Sequence, residues 1–65
     1  MTIVYSVQVH PIHAGHINDH KVISEQEFDT EVQARAYVQQ FNADAYGLVI
    51  AVYQGAIDTD TGENL

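Results

Sequence analysis

The 65-residue sequence predicts one small α+β domain over residues 1–65, a three- to four-stranded antiparallel sheet with one helix packed on one face. Residues 2–9 alternate between apolar and polar side chains, with Val4 the exception, as half-buried strands do. Residues 30–41 combine a helix start with an apolar stripe at helical spacing. Residues 48–53 form a strand-sized run that is apolar on both faces, so the predicted element order is β-β-α-β.

The first predicted strand covers residues 2–10 and turns four apolar side chains to one face, Ile3, Tyr5, Val7 and Val9. Pro11 lacks a backbone donor and restricts the preceding residue to extended geometry, so we expect the strand to end near it. Residues 11–20 contain proline, glycine and Asn-Asp, which predicts a loop or a wide hairpin connection. A second, less regular strand is predicted over residues 21–28, with a bulge or an edge position.

The clearest predicted element is a helix from about Glu31 to Phe41. Thr30 and Gln33 match a capping box, in which each side chain bonds the backbone N–H of the other residue. Acidic residues beside this start favour the positive end of the helix dipole. Four apolar residues then recur at helical spacing and predict the buried stripe, Ala34, Tyr37, Val38 and Phe41.

The last predicted strand, residues 48–53, is typical of strands that are covered on both faces. One helix covers one face only, so a second copy of the chain or another protein is expected to cover the other. We predict a possible homodimer through Val49, Ala51 and Tyr53. Gly55 is expected to bulge this strand, and "DTDTGEN", residues 58–64, predicts a tight turn before a terminal stub.

Charge and composition narrow the classes of function. Nine acidic residues stand against Lys21 and Arg35, for a net charge of −7 with neutral histidine, so direct nucleic-acid binding is not expected. The chain contains no cysteine, which fits a cytoplasmic protein, and its apolar runs are shorter than the roughly 20 residues of a membrane span. The sequence also carries no recognisable catalytic motif, and we predict that the protein is not an enzyme.

Four histidines lie within residues 10–20, His10, His13, His16 and His20. Imidazoles with a carboxylate such as Asp19 form a possible zinc site, so a metal-binding protein is one hypothesis. Pro11 and Gly15 argue against a helix that would align the rings. The alternatives are a pH-dependent loop, in which four added protons move the charge from −7 to −3, and a solvated loop without a role.

Two groups of residues are candidate contacts for a protein partner. Acidic residues are densest from the second strand into the helix start, at Glu25, Glu27, Asp29 and Glu31. This run is either a surface for a basic partner or the ordinary electrostatics of a helix start and an exposed strand. Tyr46 and Tyr53 are the second group, because tyrosine is enriched at interface hot spots.

Five features of the sequence occur together: the absence of cysteine, the strong acidity, the predicted element order, the helix entry "FDTEVQARAYV" and the turn "DTDTGEN". In these features the chain resembles small phage-encoded inhibitors, including anti-CRISPR and other host-takeover proteins. The resemblance implies a non-enzymatic protein that binds a host protein, in some cases by placing carboxylates on a basic nucleic-acid-binding surface. A zinc-type metal-binding protein that uses the histidines is the alternative, and a structural domain whose charge serves solubility is a third.

Overall fold

The computed structural model describes residues 2–18 and 20–65. Within these residues it contains one helix, α1 (Glu31–Asp44), and four strands, β1 (Ile3–His13), β2 (His16–Ile17), β3 (Ser24–Phe28) and β4 (Val49–Asp58). Strand β1 pairs antiparallel with each of the other three. The predicted α+β class, with one helix on an antiparallel sheet, is confirmed, and β2 adds a short strand to the predicted order.

Strand β1 continues through Pro11, where the sequence predicted its end. The Pro11 carbonyl accepts the Asn18 N–H at 2.9 Å, so Pro11 still makes one backbone hydrogen bond to the neighbouring chain segment. The Asn18 carbonyl, which a donor at residue 11 would otherwise bond, accepts the Lys21 N–H at 3.3 Å. Ala14 and Gly15 then have positive φ angles of 54° and 81°, as a tight type I′ hairpin requires. The predicted loop therefore begins with a hairpin between β1 and β2.

Helix α1 begins at the predicted residue and continues past the predicted end to Asp44. Thr30 Oγ1 accepts the Gln33 N–H at 3.2 Å, so this half of the predicted capping box is confirmed. Near the other end, the Asn42 side chain accepts the Ala51 N–H at 2.8 Å and donates to the Ala51 carbonyl at 3.1 Å. Asn42 thus bonds the outer edge of β4 as a neighbouring strand would, and it fixes the helix end against the sheet.

The core lies between α1 and one face of the sheet. Its buried apolar residues are Val7, Val9, Ala34 and Ala51. Seven partly buried residues pack around them, Tyr5, Phe28, Tyr37, Val38, Phe41, Val49 and Tyr53. The rings of Tyr37 and its two aromatic neighbours have centroids 5.2 and 5.7 Å apart, in tilted arrangements that favour aromatic contact. The helix stripe predicted from the sequence is therefore confirmed as the face that meets the sheet.

The prediction that Val49, Ala51 and Tyr53 form an uncovered dimer face is wrong. Ala51 is buried beneath α1, and Val49 and Tyr53 pack against the same core. The register of β4 with β1 sets Ala51 opposite the buried Val9, so alternate residues of β4 from Val49 to Tyr53 point towards the helix. The sequence shows that β4 has two apolar faces, but only this register decides which of them the helix covers.

The predicted bulge at Gly55 is confirmed. Between Ser6 and Val7 of β1, the register with β4 shifts so that Gln54 is the extra residue. Gly55 has a φ of 106°, and a Cβ at this position would approach Asn64 Oδ1 to 3.3 Å, so glycine is the residue that fits. The terminal stub returns to β4 through a bridge between Ile57 and Asn64. The shift also turns Ile57 to the sheet face opposite α1.

Candidate functional site on the open sheet face

The sheet face opposite α1, which we call the open face, is covered by no helix or strand within residues 2–18 and 20–65. The strand registers set its side chains in cross-strand rows, with Gln8 between Val52 and Glu25, and Ile12 beside Ile17. Its members, by alternation from these pairs, are Val4, Ser6, Gln8, His10, Ile12, Ile17, Glu25, Glu27, Ile50, Val52, Gln54 and Ile57.

Branched aliphatic side chains make up half of the members of the open face. Ile17 is 47% exposed, and Ile50 and Val52 are partly exposed. The Leu48 carbonyl accepts the Ile12 N–H at 3.1 Å, which continues the ladder one residue beyond β4. Alternation then aligns Leu48, 72% exposed, with Ile12 and Ile17 in one apolar row. Large contiguous apolar patches on a protein surface are typical of interaction sites, so this row is a candidate contact surface.

The open face has an acidic border on β3. Glu25 and Glu27 are both exposed and lie opposite Gln8 and Ser6 of β1. Glu25 Oε2 accepts a hydrogen bond from Gln8 Nε2 at 2.9 Å, which fixes the orientation of the Gln8 amide. No cationic side chain belongs to the open face as its members are defined above. The face therefore combines an apolar surface with negative charge along one side.

The predicted acidic run is divided between the two sides of the sheet. Glu25 and Glu27 share the open face, because they are alternate residues of β3. Glu31 lies on α1, on the other side of the sheet, and accepts a hydrogen bond from Arg35 Nε at 2.9 Å. Asp29 lies in the turn before α1. The structure thus brings two of the four predicted carboxylates together and leaves the other two at the helix start.

A groove of about 480 Å³ crosses the open face and is lined by Gln8, His10, Ile17, Val52 and Gln54. Two of these side chains are apolar, and the other three carry amide or imidazole groups. Because Gln8 Nε2 is bonded to Glu25, the Gln8 amide oxygen is the atom left to accept a hydrogen bond. Polar side chains therefore outnumber apolar ones in the groove, and they offer hydrogen-bonding groups to a side chain that enters it.

His10 is only 4% exposed although it belongs to the open face. Its Nδ1 lies 2.8 Å from the carbonyl oxygen of Lys21, in the loop between β2 and β3. A carbonyl oxygen only accepts hydrogen bonds, so Nδ1 carries the hydrogen, and in the neutral ring Nε2 is an acceptor. The loop therefore holds the ring in one orientation and one tautomer beside the groove.

The structure does not bring the four histidines together. His13 pairs with His16 across the β1–β2 hairpin, and strand alternation sets His13 on the opposite side of β1 from His10. His20 is exposed in the following loop. In the part of the chain that the structure describes, no group of three or more His, Cys, Asp or Glu side chains is placed to hold a metal ion. Asp19, the carboxylate suggested with the histidines, lies outside these residues.

The two predicted contact tyrosines differ in their surroundings. Tyr53 packs on the helix side, and Arg35 Cζ lies 4.6 Å from the centroid of its ring. Partial burial is the main cause that raises the pKa of the Tyr53 phenol above its ordinary value; the Glu31 carboxylate adds to the increase and Arg35 opposes it. Tyr46 is 89% exposed with a φ of 54°, a conformation that bulky residues rarely adopt. Tyr46 is accessible to a partner, whereas Tyr53 belongs to the core side of the sheet.

Sequence reasoning missed the apolar part of the open face. The sequence predicts that residues 48–53 are apolar on both faces, but the uncovered face was assigned to the side of Val49, Ala51 and Tyr53. Ile17 lay in a predicted loop, where a single apolar residue among turn formers gives no strand signal. The useful signal was the alternation in residues 48–53, which puts three apolar side chains on each side of the strand. Because one helix covers only one side, the other three side chains remain uncovered.

Comparison of the chain with models of protein families, with curated proteins and with solved structures finds no match. The resemblance to phage inhibitors stays a prediction. In the described ranges, no helix is both long enough and apolar enough to cross a membrane.

Proposed function

We propose that this chain is a non-enzymatic protein-binding module that docks another protein on its open face. The observation that carries the proposal is an apolar sheet face, free of any described helix or strand, with Glu25 and Glu27 along one border. The apolar rows supply the buried contact, and the two carboxylates select a partner with basic residues beside its own apolar surface. In the form that the resemblance implies, the partner is a host protein and the chain is its inhibitor.

The dimensions of the open face suit a protein interface. The 28 residues of the four strands, with neighbouring strands about 4.8 Å apart and about 3.3 Å per residue, give a face of roughly 450 Å² in projection. Two such faces bury about 900 Å², close to the roughly 1,000 Å² at the lower end for a specific interface. The accessible surface of 4532 Å² also exceeds the roughly 4,100 Å² expected for a monomer of 7.2 kDa. The molecule is flat, and an added layer on the open face would complete a second core.

Charge favours a different protein over a second copy of the chain. Each copy carries a net charge of −7, so two copies face to face would bring like charges together. Arg35 already contacts Glu31 on the helix side of the sheet. A basic partner removes the repulsion and supplies the counter-charges for Glu25 and Glu27, and proteins that bind nucleic acid carry such surfaces.

Charge reversal tests the acidic border. In capture from bacterial lysate with a Strep-type tag, we expect Glu25→Lys with Glu27→Lys to weaken retention of the partner about tenfold or more. The control is Asp44→Lys with Glu63→Lys, which changes the net charge equally but alters residues outside the open face. The purified partner then gives the dissociation constants. Equal affinity of the two double variants would contradict the proposal.

The apolar rows are tested by a second matched pair. Ile17→Asp places a charge in the open face, whereas Val32→Asp changes a residue of α1 that is 77% exposed. We expect Ile17→Asp to abolish capture and Val32→Asp to leave it unchanged, with both variants folded by circular dichroism. Retention of the partner by folded Ile17→Asp would show that binding uses another surface.

A further inference from the structure

We infer that the groove on the open face receives an arginine side chain of the partner protein. This inference rests on the proposed function, since the groove forms part of the face that binds the partner. It adds the chemical identity of the group that enters. The walls of the groove, its hydrogen-bonding atoms and the pairing of the chain's own arginine support this identity.

The walls suit the aliphatic part of an arginine. Ile17 and Val52 contribute branched apolar side chains to the groove, from β2 and β4. The three methylene groups of arginine pack on such surfaces while the charged end reaches polar atoms. A groove of about 480 Å³ leaves room for one long side chain together with water. The walls alone would equally accept a leucine or methionine, so the polar atoms decide the choice.

The polar atoms of the groove are suited to a donor. The Gln8 amide oxygen is free to accept, because its nitrogen donates to Glu25. In the neutral ring, His10 Nε2 is a second acceptor, because Nδ1 donates to Lys21. The Gln54 amide supplies an oxygen acceptor as well as an NH2 group, and the Glu25 carboxylate beside Gln8 supplies negative charge. A guanidinium has five donors and no acceptor, so it matches this set better than an amide, a hydroxyl or a carboxylate does.

The shape of the donor favours arginine over lysine. A guanidinium is planar, presents its donors in a fixed fork and is more weakly hydrated than an ammonium group. It can bond several separated acceptors at once. The occupant also comes from another protein, because the only arginine of this chain, Arg35, bonds Glu31 and stacks on Tyr53 on the helix side.

Titration with model side chains, followed by NMR, tests the groove without the partner. The probe is N-acetyl-arginine methylamide, and the matched control is N-acetyl-citrulline methylamide, which has nearly the same shape without the charge. We expect saturable shifts at Gln8, His10 and Gln54 in the millimolar range, with citrulline about tenfold weaker because the charge-assisted bonds are lost. Equal shifts with both probes, or shifts only outside the groove, would overturn the inference. Shifts at the groove on raising the protein concentration alone would assign it to a second copy.

Three further measurements test the role of the Glu25 charge, the tautomer of His10 and the independence of the two proposals. Glu25→Gln changes an exposed side chain and should weaken arginine binding several-fold, whereas Glu63→Gln should not; equal affinity in both would count against the inference. The ¹⁵N spectrum of the His10 ring should show a protonated Nδ1 and an Nε2 that shifts when arginine is added. The partner protein can also be tested directly, with its arginines replaced by alanine. If its binding is lost in Ile17→Asp of this chain but unaffected by loss of its own arginines, the proposed function holds and the arginine site is wrong.

Discussion

The two faces of the sheet are built from similar side chains but have different surroundings. On the helix side, Val7, Val9 and Ala51 are buried against α1. On the open face, Ile50 and Val52 share the branched aliphatic character of the two buried valines and are partly exposed. The pattern of apolar residues therefore identifies a strand with two apolar faces. It does not show which face packs in the core and which is left at the surface. That distinction comes from the register with β1 and from the point where the helix is anchored.

The largest effect that separates the two faces is expected from one substitution made on each. Val9→Ala removes two methyl groups from the core and should lower the free energy of unfolding by about 2 kcal/mol. Val52→Ala makes the same change on the open face and should cost less than about 1 kcal/mol, since its surroundings are partly water. Urea unfolding measures both values. Comparable costs would show that the open face is covered in solution, and a dependence of Val52→Ala stability on protein concentration would identify self-association as the cause.

The next prediction compares two polar side chains of α1, one that bonds the sheet and one that bonds only within the helix. Asn42→Ala leaves the N–H and carbonyl groups of Ala51 without their side-chain partner, and we expect a loss of about 1 to 3 kcal/mol. Gln40→Ala is the control, because Gln40 bonds Asp44 on the exposed side of the helix and should matter by a few tenths of a kcal/mol. Hydrogen exchange of the Ala51 amide should accelerate in Asn42→Ala alone. An unchanged exchange rate would mean that the helix is held by its apolar stripe without this bond.

Much of the fold follows from local signals in the sequence. Thr30 with Gln33 located the helix start, and the alternation from Ile3 to Val9 located the core face of β1. Gly55 located the bulge. In each case the signal lies within a few residues of the feature, where propensity, capping and φ preferences act directly.

The features that were wrong or missed depend on contacts between distant residues. Pro11 can remain in β1 because Asn18 approaches its carbonyl rather than its missing N–H. The open face was assigned to Ala51 instead of Val52, because the sequence does not state which strand residues Asn42 and the buried Val9 will meet. The groove joins β1, β2 and β4, and its His10 tautomer depends on a carbonyl 11 residues away. Such juxtapositions need the register of the whole sheet.

The smallest expected change in stability comes from the N-cap of α1, and it tests whether binding at the groove depends on the stability of the helix. Thr30→Ala removes the hydrogen bond that caps α1, and it should lower the free energy of unfolding by about 1 kcal/mol. Thr30→Ser keeps a hydroxyl acceptor and should retain most of that stability. Because the groove lies on the other side of the sheet from α1, both variants should bind N-acetyl-arginine methylamide with unchanged affinity at temperatures where they are folded. Weaker binding by Thr30→Ala in proportion to its lost stability would show that the open face depends on the helix, and the two faces would then act as one cooperative unit.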